Sequence, residues 1–169
     1  MKKRIIVEPT LCTGCEMCTH ACSVIKTGAP DPLFARIHVV RDEARNICIP
    51  VVCHHCEPAP CVEACPAGAF KRVARLDIWV IDEDKCIHCG ECVRACPFGA
   101  IQFLPDGDVT KCDLCGGVPR CVECCQDRVQ SGNQHVQDIK ASALRFDNIV
   151  ESASLKRRMQ LYKEGGGIK

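Results

Sequence analysis

Eighteen of the 169 residues are cysteine, and sixteen of these fall into four groups of four: Cys12, Cys15, Cys18, Cys22; Cys53, Cys56, Cys61, Cys65; Cys86, Cys89, Cys92, Cys96; and Cys112, Cys115, Cys121, Cys125. The first and third groups read C-x2-C-x2-C-x3-C, and the third runs into Pro97. The second reads C-x2-C-x4-C-x3-C before Pro66, and the fourth C-x2-C-x5-C-x3-C with Gly116, Gly117 and Pro119 inside its loop. Three thiolates two residues apart on a tight loop can reach three corners of one iron–sulfur cubane, while the fourth, on the helix behind, points to a neighbouring cluster. A zinc site would instead want two CxxC pairs across a longer spacer. The chemistry expected is therefore that of four 4Fe-4S clusters, each group giving three ligands to one cluster and one to another. Cys48 and Cys124 are left over. Cys48, between Ile47 and Ile49, reads as a small buried hydrophobe, and Cys124 as a bystander whose alternative is to replace Cys125 as ligand.

Composition agrees with an interior filled by something other than side chains. Cysteine is about 11% of the chain, so the 47% hydrophobic content holds only about 36% true core formers. The start, Met1-Lys2-Lys3-Arg4-Ile5-Ile6-Val7-Glu8-Pro9, is too short in apolar residues for a signal peptide. No run approaches the ~18 apolar residues of a membrane span. A cytoplasmic chain is expected, and in a reducing compartment many cysteines mean metal before disulfides. The formal charge of +1, with no basic-aromatic platform, gives no reason to expect nucleic acid. An oxidised cubane with its four thiolates carries about −2, so four of them bring the total to about −7.

Short elements must hold these loops. Arg4 to Val7 reads as a β run; Arg36 to Arg41 with Ile47 to Val52, Phe70 to Val73 with Leu76 to Ile81, and Ala100 to Leu104 with Asp108 to Lys111 read as three hairpins. Helices are expected over Glu16 to Val24, Val62 to Ala64 and Glu91 to Ala95. Beyond the cysteines, Val136, Ile139, Ala143 and Leu144 follow helical spacing, and Leu155, Met159 and Tyr162 mark another helical face. Among polar residues in the loops, His54, His55 and His88 are expected to meet solvent or donate to sulfur. Lys85, Arg94, Lys111 and Arg120 read either as solvated surface or as cations that favour cluster reduction.

On these motifs the chain resembles the four-cluster ferredoxin-like electron-transfer subunits of molybdenum and tungsten enzymes over roughly residues 1 to 126. The resemblance implies an α+β fold of two intertwined bacterial-type ferredoxin units with short β-hairpins: an inner unit, 52–104, inserted between outer motifs at 1–30 and 105–126, with 127–169 as a helical tail for assembly. It implies the ligand sets Cys12, Cys15, Cys18 and Cys125; Cys112, Cys115, Cys121 and Cys22; Cys53, Cys56, Cys61 and Cys96; and Cys86, Cys89, Cys92 and Cys65. The short loop from Cys115 to Cys121 is trimmed where many relatives carry an insertion. At Cys121-Val122-Glu123-Cys124-Cys125-Gln126, Cys124 stands in an alanine place and the final proline is missing. No transmembrane anchor is seen, so a soluble partner is expected.

Its compactness, that short loop and the tail from Leu155 to Gly165 look most like the small iron–sulfur subunit of bacterial tungsten aldehyde oxidoreductases. Such a subunit is non-catalytic. It would pass electrons between a tungsten or molybdenum pterin subunit that oxidises an aldehyde and a flavoprotein or ferredoxin, and its tail could dock on a partner, on its own domain or on a second copy. A free polyferredoxin or a cluster-carrying maturation protein is the alternative.

Overall fold

The computed structural model describes residues 2–125 and 142–148. Its regular structure is sparse: eight short strands, paired as four separate two-stranded antiparallel sheets, and three short α-helices among the described elements. Three sheets are local hairpins. β2 (Ile37–Asp42) pairs with β3 (Ile47–Val52), β4 (Phe70–Val73) with β5 (Ile78–Ile81), and β6 (Ile101–Phe103) with β7 (Val109–Lys111). The fourth joins segments far apart in sequence: β1 (Lys3–Val7) pairs with β8 (Leu144–Asn148), Ile5 facing Phe146 and Val7 facing Leu144.

β8 corrects one expectation. Helical spacing places Ala143 and Leu144 on a helix, yet residues 144–148 are extended, because Leu144 is fully buried against the core and β1 supplies the strand partner that a local reading lacks. The helical expectations for Val136, Ile139, Leu155, Met159 and Tyr162 fall outside the described residues.

The helices carry cysteines. α1 (Met17–Thr27) buries Cys18, Thr19, Cys22 and Ser23 on one face. It runs three residues past the expected end at Val24 because the stop is Gly28, which takes the left-handed conformation at φ 80° and returns its N–H to Val24 O. α2 (Pro60–Glu63) begins at a proline, which suits a first turn, and α3 (Glu91–Ala95) packs against α2 and β6. A further helical turn covers 120–125.

Cysteine and aliphatic side chains share the interior. Ile5, Ile37, Val51, Val52, Leu114 and Leu144 pack in one cluster with Cys18, Cys22, Cys53, Cys112 and Cys121. A smaller cluster joins Ile101 and Val109 to Cys61 and Cys92. The trimmed fourth loop rests on the β4–β5 turn, where Arg75 Nη2 donates to Gly116 O at 2.6 Å and Leu76 lies under Gly117.

Candidate metal centres

Each cysteine group begins on the same backbone turn, made four times. The residue before the second cysteine is left-handed in all of them: Gly14 at φ 68°, His55 at 50°, His88 at 54° and Leu114 at 56°. Only glycine adopts this region freely, and other L-residues give up about 1–2 kcal/mol to do so, so the turn is held by what the loop encloses. It aims backbone amides at sulfur. His55 N donates to Cys53 Sγ at 3.4 Å and Leu114 N to Cys112 Sγ at 3.4 Å. At the fourth cysteine of a group, Ala69 N donates to Cys65 Sγ at 3.3 Å, Ala100 N to Cys96 Sγ at 3.4 Å and Arg36 N to Cys22 Sγ at 3.2 Å. Hydrogen bonds of this kind favour the thiolate that a metal needs.

Three cavities result, each lined by four thiols. One is lined by Cys53, Cys56, Cys61 and Cys96. A second is lined by Cys65, Cys86, Cys89 and Cys92, and a third by Cys22, Cys112, Cys115 and Cys121. Around the first loop, Cys125 lies close enough to Cys12 and Cys18 to act on both thiols electrostatically, and Cys15 is exposed. Among the described residues no three Cys, His, Asp or Glu side chains converge tightly enough to hold a single ion. Four thiols spread around a chamber fit a cubane with four iron corners, and do not fit a mononuclear zinc site.

Burial raises the thiols most, and neighbouring sulfurs raise several of them further. Cys18 is pushed up to about 12 by burial and then by Cys125 and Cys12, and Cys112 to about 12 by burial and then by Cys53. Cys56 and Cys61 reach about 11 for the same first reason. Binding as thiolates must therefore expel protons. The same couplings link the sets in space: Cys18 acts on Cys121, Cys53 acts on Cys112, and Cys61 packs with Cys92.

The polar residues around the cavities differ from expectation in one place. His54 and His55 are buried, at 5% and 8% exposure, and Lys111 is buried at 6%. Solvent contact is thus ruled out for these two histidines, and solvated surface for Lys111. Lys111 Nζ donates to Trp79 O at 2.6 Å and stands 3.1 Å from His55 Nδ1. His54 packs edge-on against Phe98 with ring centroids 4.3 Å apart. His88 stays partly exposed, 3.3 Å from Asp108, and Arg94 and Arg120 are exposed in ion pairs with Glu91 and Glu123. Asp113 escapes a reading of the sequence alone, yet it holds Lys26 at 2.8 Å and Arg36 at 3.0 Å beside the cavity of Cys112. Its place directly after a cysteine is the available signal. Cys48 is half-buried against the first loop.

Thiol-lined chambers on short hairpins define a ferredoxin-type iron–sulfur protein. Two family models, both described as 4Fe-4S binding domain, match residues 9–25 and 79–102. The chain is 41% identical over 125 residues to the "Aliphatic sulfonate oxidoreductase, polyferredoxin-like subunit" of Pyrococcus furiosus, covering 73% of this chain and 71% of that one. It is 37% identical to the "Putative electron transport protein YsaA" of Escherichia coli, over 74% of this chain and 85% of that one. It is 36% identical to a subunit of the same bacterium's anaerobic dimethyl sulfoxide reductase, over 70% and 67%. The chain belongs to this family of ferredoxin-like iron–sulfur electron-transfer subunits of oxidoreductase complexes, and its cofactors are 4Fe-4S clusters. No helix among the described residues is long and apolar enough to cross a membrane.

Proposed function

We propose that this chain is a non-catalytic electron conduit holding four 4Fe-4S clusters, with Cys12, Cys15, Cys18 and Cys125 as one ligand set, Cys112, Cys115, Cys121 and Cys22 as the next, then Cys53, Cys56, Cys61 and Cys96, then Cys86, Cys89, Cys92 and Cys65. The supporting observation is the sharing of thiols: each of the three cavities draws three from one group and one from another. That crossing is what an inner unit, 52–104, inserted into an outer one would produce. The couplings of Cys18 with Cys121, Cys53 with Cys112, and the packing of Cys61 with Cys92 support the order just given as the order along the path. Bound there, the clusters supply one-electron exchange. The protein's share is to fix the thiolates, dry the sites with aliphatic side chains and aim amides at sulfur.

The catalytic partner we infer is a tungsten or molybdenum pterin subunit that oxidises an aldehyde, with a flavoprotein or ferredoxin at the opposite end, in the cytoplasm. The short Cys115–Cys121 loop, closed down on Arg75 and Leu76, supports a compact member of this kind. Anaerobic iron and sulfide analysis should give about sixteen irons per chain, four for each ligand set; half that iron, or stoichiometric zinc, would refute the reading. Cys125→Ala should lose a cluster and Cys124→Ala should not, since Cys125 is the one beside Cys12 and Cys18. The tagged chain should bring down its catalytic partner through a salt wash. A chain recovered alone and monomeric would favour a diffusible carrier.

A further inference from the structure

The four sites differ in the charge that faces them. Lys111 is buried, lines the cavity of Cys53, Cys56, Cys61 and Cys96, and has no carboxylate within ion-pair distance among the described residues. Its Nζ is satisfied by Trp79 O and His55 Nδ1. An ammonium has donors and no acceptor, so Nδ1 must accept, and the ring proton of a neutral His55 sits on Nε2. That Nε2 is buried and has no hydrogen-bond partner among the described residues. A buried N–H without an acceptor is costly, and here it belongs to a ring that lines a chamber made for sulfur. Arg4, buried at 3% exposure and tied to Leu76 O and Asp77 O, also acts on Cys53, although the Asp77 carboxylate is the charge that acts on it most.

The other sites lack this. Around Cys65, Cys86, Cys89 and Cys92 the remaining lining is aliphatic, aromatic or glycine, Phe70, Ile81, Ile87 and Val109 among it, with no charged side chain. Beside Cys22, Cys112, Cys115 and Cys121 the cations Lys26 and Arg36 share one carboxylate, Asp113, which offsets one of the two charges, and all three side chains are partly exposed, so that solvent screens the charge left over. At the first loop Arg41 is paired with Glu16.

We propose that Lys111 and His55 give the site of Cys53, Cys56, Cys61 and Cys96 the highest reduction potential of the four, Lys111 by its unneutralised charge and His55 by donating Nε2–H to cluster sulfur. Both effects stabilise the added electron, the first through a low-dielectric path and the second through hydrogen bonding. The balance is one electron leaving an adjacent site for each one that arrives. An interior site of this kind collects charge between the two ends of the path. The inference rests on the ligand sets proposed above.

The test is an anaerobic redox titration of the full chain followed by EPR, with Cys56→Ala identifying the component that belongs to this site by its loss. In the intact protein that component should be the first reduced; another component reduced first overturns the ranking. Lys111→Met, and His55→Leu, which the loop accepts because Leu114 stands at the equivalent left-handed position, should each lower its reduced-to-oxidised ratio at fixed potential about tenfold, equal to about 59 mV for a one-electron couple. Iron content should be unchanged, and Lys111→Arg should restore most of the ratio. Potentials unmoved in both variants overturn the inference while leaving the ligand sets intact. If Cys56→Ala removes no component, the ligand reading fails and the inference falls with it. Should the variants shed iron, pulsed EPR of the intact protein labelled with 15N-histidine decides: a histidine nitrogen coupled to this component is expected, and its absence overturns the proposal.

Discussion

Gly14 and Cys48 touch so closely that a β-carbon on Gly14 would lie 2.6 Å from Cys48 Sγ and 3.0 Å from Arg41 Nη1. Gly14 also holds φ at 68°. The first loop therefore depends on a residue without a side chain for a steric reason, and the left-handed backbone adds a smaller strain of the kind that His55, His88 and Leu114 bear at the equivalent positions. Gly14→Ala should lose the cluster site of that loop, read as a drop of about a quarter in iron per chain, since one ligand set of four is affected. Adding Cys48→Gly should relieve the contact with sulfur but not the left-handed strain, so recovery should be partial. Full recovery would show that the conformational part is unimportant.

Asp113 answers two cations at once and also accepts from Cys115 N at 3.0 Å. Burial works against its ionisation, yet the hydrogen bonds from Lys26 and Cys115 N, with Arg36 nearby, outweigh this and hold the carboxylate below its usual range. A carboxylate with a depressed folded pKa contributes stability above its unfolded value, near 3.9, and loses it only as pH falls through the folded one. Asp113→Asn should thus cost about 1–2 kcal/mol, and the difference from the parent protein should stay flat from about pH 6 to 9. Denaturation at several pH values checks this. With Asp113 no longer offsetting one of the two charges, Lys26 and Arg36 should also make the adjacent cluster easier to reduce.

Removal of iron should unfold much of the protein. The large side chains fully buried in the described residues are few, chiefly Ile5, Ile37, Ile78, Ile101, Leu114 and Leu144, and cysteines complete the clusters they belong to. Four left-handed loop residues, three of them not glycine, have nothing to hold them once the sites are stripped. Chelation under anaerobic conditions should abolish most hydrogen-exchange protection and near-ultraviolet dichroism. A stripped chain with native-like protection would show that the apolar contacts suffice.

The tail should act in assembly rather than in holding clusters. Truncation after Glu151 keeps β8 whole, since that strand ends at Asn148. Iron content should then match the full chain, while light scattering should report a smaller complex. A truncated chain that assembles normally would remove any assembly role from Leu155, Met159 and Tyr162.

Much of this is readable from local pattern. The three hairpins lie within one or two residues of their expected bounds at most of their ends, because each pairs neighbouring segments through a short turn. α3 has its expected bounds. β8 is not legible in this way, because its partner β1 lies far off in sequence and Leu144 also fits the helical spacing of Val136, Ile139 and Ala143. Lys111 escapes for a different reason. All three residues of β7 are buried, so the alternation that would mark an inward-facing charge is missing. A lysine beside a cysteine reads as surface until the facing histidine is known to be enclosed.

The pairing of Val7 with Leu144 sets a timetable for biosynthesis. As the chain leaves the ribosome, the thiols from Cys53 to Cys96 emerge together, and both chambers they line can close while the outer groups are incomplete. On the ligand sets proposed above, Cys12, Cys15 and Cys18 appear first but would wait for Cys125, and β1 must wait for β8 before its edge is covered. Iron and sulfide delivery would then run from the inside outward. The N-terminal loop, with Cys15 exposed, would then be the first set of thiols made and among the last to be enclosed.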